Sequence, residues 1–134
     1  MISGHAGALS TVHANSARDA LIRLETLSLM SDVEIPVYVA RTQVASAIDL
    51  VVQIARFSED GSRKITRITE ARGLDDTNQY RMADLYVSRL QGRTADGQLI
   101  ANLERTGEKP SFGNELSEHG LSDRSHLTEG VWSD

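Results

Sequence analysis

The chain has 134 residues, 40% hydrophobic and 25% charged, and its 14 basic against 19 acidic side chains leave a net charge of −5. That length holds one domain or a piece of one, and the acid excess argues against a nucleic-acid surface. No cysteine occurs, which excludes disulfides and thiolate metal sites. Residues 1–9 lack the basic flank and apolar core of a secretory leader, and no run reaches the roughly 18 apolar residues of a membrane span; a soluble, cytoplasmic chain is the expectation.

In chain order, residues 8–13 are short and apolar with Thr and Val, and predict a strand. Ser16 then opens a helix, because Ser16-Ala17-Arg18-Asp19 has the spacing of a capping box. Ala17, Ala20, Leu21, Leu24 and Leu27 fall on one face at helical period, with Arg18, Arg23 and Glu25 on the polar side. The helix should fade near Ser31 and Asp32. Pro36 suits the first turn of a second helix, whose buried stripe is Val37, Ala40, Val44, Ala47 and Ile48. Arg41, Thr42, Gln43 and Ser46 are left facing outward or toward a partner.

Residues 49–57 are dense in β-branched side chains, as a central strand would be. Asp60-Gly61 is a hairpin signal, so 65–71 should return antiparallel. Strands over 80–90 and 98–105 follow, around a turn with Gly92 and Asp96-Gly97. Residues 1–106 thus form the folded part. Residues 107–134 carry six acidic and two basic side chains, four glycines and Pro110, the composition of a flexible acidic tail. Within it 112–118 is a candidate short helix and Trp132 a candidate anchor. Strand, helix, helix, strand, then antiparallel strands is the order of the closing part of an α/β sheet.

The chemistry concentrates near the start. In open α/β sheets ligands gather beyond the carboxyl ends of strands, and His13 is placed at such an end. Asn15 and Ser16 begin the next helix, whose free amides and partial positive charge suit an anion. An imidazole there can donate to a phosphate oxygen, and a hydrogen bond to a charged group is worth about 1.5–3 kcal/mol. The same spacing fits a histidine that merely satisfies its own hydrogen bonds. Other chemistries fail on pattern. His5 and His13 lack a third metal ligand at zinc spacing. Ser10 lacks the G-x-S-x-G elbow of a nucleophile. No Gly-Lys pair occurs, hence no G-x-x-x-x-G-K-[ST] phosphate loop. Asp49 closes a helical stripe and does not read as a magnesium-binding strand end.

The segments GHAGALSTVHANSARDALIRLETL and ARTQVASAIDLVVQIARFSEDGSRKITRITE resemble the second half of the motor domain of type II/IV secretion ATPases. The closer resemblance is to the CpaF-like branch, which drives assembly of Tad (Flp) pili. It is close over 4–73 and looser through YRMADLYVSRLQGRTADGQLIANLERTGEKPSF. It implies the C-terminal part of a RecA-like P-loop NTPase domain, working as a hexameric homo-oligomer in the cytoplasm, peripheral to the inner membrane beneath pilus or secretion platform proteins. The family's cofactors are ATP and Mg²⁺. Its histidine box maps onto Gly4, His5, Gly7, Ser10, Thr11, His13 and Asn15. His13 matches the main histidine near the terminal phosphate, and the others match positions around the nucleotide. Arg41 and Gln43 match polar positions in the second helix that suit contacts between subunits.

Two positions depart from the family pattern: Ala6, where Asp is frequent, and Ala17, where Pro is frequent. The family's phosphate loop, acidic box and magnesium-coordinating strand lie upstream of the histidine box, and Met1 matches a position just before it. The expectation is a truncated reading frame or a misplaced start, with neither ATP nor Mg²⁺ bound, and no ATP hydrolysed, by this chain alone. The competing expectations are a non-catalytic module that joins rings of full-length secretion ATPases, and a gene remnant.

Overall fold

The computed structural model describes residues 7–30 and 34–111. Gly4, His5, the candidate helix over 112–118 and Trp132 lie outside them. Two helices, α1 (Ala17–Leu29) and α2 (Val37–Ala47), precede four strands, β1 (Leu50–Arg56), β2 (Arg63–Leu74), β3 (Tyr80–Arg93) and β4 (Leu99–Arg105). The strands pair with their chain neighbours in the order β1-β2-β3-β4, every pair antiparallel. It is an up-and-down meander with helices against one end of one face.

Local chemistry sets the element ends. Ser16 is extended (φ −145°, ψ 165°), and its hydroxyl accepts the Asp19 amide at 3.1 Å, satisfying one of the donors a helix start leaves orphaned. α1 closes at Leu29, with the Met30 amide returning to the Thr26 carbonyl at 3.1 Å. Pro36 sits one residue earlier than expected, as the N-cap of α2, its carbonyl accepting from Val39 and Ala40. The β1–β2 hairpin turns at Asp60-Gly61, where Gly61 has φ +70°. The Asp60 carboxylate accepts the Ser62 amide and hydroxyl, and reaches the Leu99 amide at the start of β4. Three such bonds pull its pKa down to about 2.

Register decides the faces, because residues opposite each other on paired strands point the same way. Val51, Ala71 and Met82 face the helices and pack around a core of Leu21, Val44 and Tyr80. Leu50, Val52 and Ile54 point to the opposite face, as do their neighbours Ile65 and Ile68. Bulges between Gln53 and Ile54, between Ile68 and Thr69, and between Leu90 and Gly92 shift the register. The first of these, with a further shift between Ala71 and Leu74, puts extra residues into β2, which is why its hydrophobic alternation is imperfect in the sequence.

Two strand expectations are corrected. Residues 8–13 form no strand among the described residues, and Leu9 is 99% exposed. A strand is held by its ladder, and apolar composition alone does not supply one. The run over 49–57 does form β1 (Leu50–Arg56), but at the edge of the sheet built by the described residues and not at its centre. Its β-branched run is half-buried on one side and exposed on the other. The stripes also narrow: Leu27 and Val37 are more than half exposed, while Ala17, Ala20, Leu21, Ala40 and Val44 are buried.

Candidate functional site

His13 lies three residues before the N-cap of α1, its side chain exposed. The segment carrying it is tethered where the Gln53 amide of β1 donates to the Asn15 carbonyl at 2.7 Å. His13 and Asn15 share the wall of an open groove of about 650 Å³ with Asp19, Arg23 and Thr26, which Ile22, Leu27 and Met30 also line. A second opening of about 300 Å³ brings Thr11 to His13 and Arg23. The groove therefore offers an imidazole, a guanidinium and the start of a capped helix, with one carboxylate among them. Such a set can hold one end of an anion.

The other box residues divide. Thr11 and Asn15 line openings shared with His13. Gly7 and Ser10 are exposed and line neither opening. Gly7 has φ +93°, which asks for glycine there. Gly4 and His5 fall outside the described residues. Among the described residues no three His, Asp or Glu side chains converge as metal ligands.

A second cluster joins α1, α2 and the β2–β3 turn. Glu25, expected on the polar side of α1, is 4% exposed. Its carboxylate accepts from Arg41 Nε at 2.8 Å and Nη2 at 3.2 Å. Arg41, expected to face outward or toward a partner, turns inward instead and also donates from Nη1 to the Asn78 carbonyl at 3.0 Å. Asn78 takes φ +60° in a turn organised by the Asp75 carboxylate. Arg18 donates to the Tyr80 carbonyl at 2.9 Å. Burial alone would raise the Glu25 pKa, but the Arg41 pairing outweighs it and holds the carboxyl below its usual range. The buried Tyr80 hydroxyl feels that carboxylate without a hydrogen bond of normal geometry. Burial, with the adjacent negative charge, pushes its pKa up.

A family profile described as "Type II/IV secretion system protein" matches residues 1–108. The chain belongs to that family. A search of curated proteins gave no match. The matched span takes in both helices, all four strands and the His13 groove of this secretion-system protein. No helix among the described residues is long and apolar enough to cross a membrane.

The match ends at the third ionic cluster. Glu70, 1% exposed, accepts from Arg72 Nε at 2.6 Å and from the amide and hydroxyl of Ser111 at 2.8 and 2.6 Å. Arg72 also donates to the Glu108 carboxylate and the Lys109 carbonyl. Burial opposes ionisation of Glu70, but Ser111 and Arg72 together hold its pKa below the usual range. Residues 107–111 therefore run across β2. The signal for Glu25 was present in the sequence: it stands four residues after Leu21, on the same helical face. Nothing local marked Glu70 as buried, because the Ser111 that covers it is 41 residues distant in the chain.

Proposed function

We propose that this chain is the histidine-box part of an ATP-driven motor for pilus assembly or type II/IV secretion, within the CpaF-like branch. Its fold is then the C-terminal part of a RecA-like domain. The observation that carries the reading is an exposed imidazole three residues before a capped helix start, opening on a groove inside the family-matched span. In this reading His13 donates to the terminal phosphate oxygen of ATP, and Thr11, Asn15 and the first amides of α1 surround the same phosphate. ATP supplies the transferable phosphoryl group. These residues fit one wall of a phosphate site. They supply neither the loop amides nor the Lys of a phosphate loop, and no Mg²⁺ ligand set forms among the described residues. The remaining walls, a hexameric ring of like motors and the inner-membrane platform are the partners this reading requires, with a cytoplasmic location beside that membrane.

The test has two arms. The 134-residue chain should show no ATP turnover above background; hydrolysis that His13→Ala abolishes would overturn the expectation that the chain supplies only one wall of the site. Joined behind the phosphate-loop half of a related motor, the chain should restore hydrolysis. His13→Ala in that chimera should then lower kcat by about 10²–10³, the usual cost of losing one donor to transition-state charge. A chimera that is active and indifferent to His13→Ala removes the histidine from the mechanism.

A further inference from the structure

The sheet face turned away from the helices is open and apolar. Leu50, Val52 and Ile54 of β1 are 43%, 50% and 62% exposed. By register Ile65 of β2, Leu90 of β3 and Leu103 of β4 share that face and are also exposed. A contiguous exposed apolar patch of this kind marks a surface that something covers.

The chain leads onto this face. Glu70 opposes Leu50 and therefore points the same way, and the bonds from Glu70 and Arg72 carry residues 108–111 across it. The face is also basic. Arg56 and Arg63 oppose each other on it, while Arg72 is already paired with Glu70 and Glu108. The 23 residues that follow Ser111 carry five carboxylates (Glu115, Glu118, Asp123, Glu129, Asp134) against one arginine, Arg124. They also carry Phe112, Leu116, Leu121, Leu127, Val131 and Trp132. Four strands span about 15 Å across, at roughly 4.8 Å per step. Twenty-three residues reach as far as about 75 Å when extended. Reach, sign of charge and apolar content all match.

We propose that the open face of the sheet is the docking surface for the chain's own acidic C-terminal segment, residues 112–134. Its apolar side chains cover the β1–β2 patch and its carboxylates meet Arg56 and Arg63. The inference is independent of nucleotide binding, and removing the groove at His13 leaves it untouched.

The chain has one tryptophan, Trp132, and no cysteine, so a single-site quenching experiment on the full chain decides the matter. A nitroxide is attached at Ile54→Cys on the open face, or at Thr26→Cys on the groove side of α1; both positions are exposed. Trp132 fluorescence should be quenched at least twofold more strongly from position 54, to the same degree across a hundredfold dilution. Adding Val52→Glu should abolish the difference while the circular dichroism spectrum stays unchanged. Equal or absent quenching from the two positions overturns the proposal. Quenching that fades on dilution also overturns it, because the segment would then belong to a second copy.

Discussion

The Glu25–Arg41 joint and the His13 segment start from the same short helix and end in opposite conditions. At the joint, two charges are taken from solvent and bound in a bidentate pair, so α1, α2 and the β2–β3 turn hold one another in place. At the groove, an imidazole of similar polarity stays exposed on a segment with no strand partner among the described residues. The difference lies in what each residue leaves for a later visitor. A buried pair has used its hydrogen-bonding capacity on the fold, whereas His13 stays exposed on the wall of the groove.

The sharpest way to break this contrast is to remove one charge from the joint. Arg41→Ala should cost about 3–5 kcal/mol in urea unfolding, since it leaves the Glu25 carboxylate buried and unpaired. The paired replacement Glu25→Leu with Arg41→Met should recover most of that loss. If the double variant is as unstable as the single one, the pair is not what Arg41 contributes.

Acid should also read the joint before it reads the groove. Glu25, Glu70 and Asp60 have folded pKa values below their ordinary ones. Each therefore contributes stability that is complete above the unfolded carboxyl range, near pH 4, and is lost as pH falls through the folded value. For Asp60 the window runs from about pH 4 to about pH 2. Tyr80 acts in the other direction: its raised pKa gives stability that is present below about pH 10 and is lost as alkali ionises the unfolded chain. Thermal unfolding from pH 2 to pH 11 should trace both limbs, and Arg41→Ala should weaken the Glu25 contribution to the acid limb.

Smaller effects sharpen the boundary between the regions. Ser16→Ala removes the acceptor for the Asp19 amide and should cost about 1 kcal/mol. His13→Ala should change unfolding free energy by less than about 0.5 kcal/mol, as expected for an exposed side chain with no packing role. A larger loss would make His13 part of the fold.

Much of this was legible because it is written locally. The Ser16 cap, the Asp60-Gly61 turn and the paired apolar runs each depend on a few adjacent residues, and α1, the first hairpin and four strands follow from them. The His13 segment shows the limit. Its apolar pattern reads as a strand, yet pairing is a long-range property and no ladder forms among the described residues. Arg41 shows the converse, because a polar residue beside a buried stripe reads as surface until another helix brings it a carboxylate.

By itself the sequence determined where the chain turns and where its helices start, and it carried the resemblance to the secretion-system family. Only the tertiary structure decided that β1 is an edge, that Glu25 and Glu70 are buried with arginines, and that 108–111 fold back over β2. Caps and turns are satisfied within four residues. The desolvation of a charge depends on which distant groups arrive to replace water, and that is set by packing.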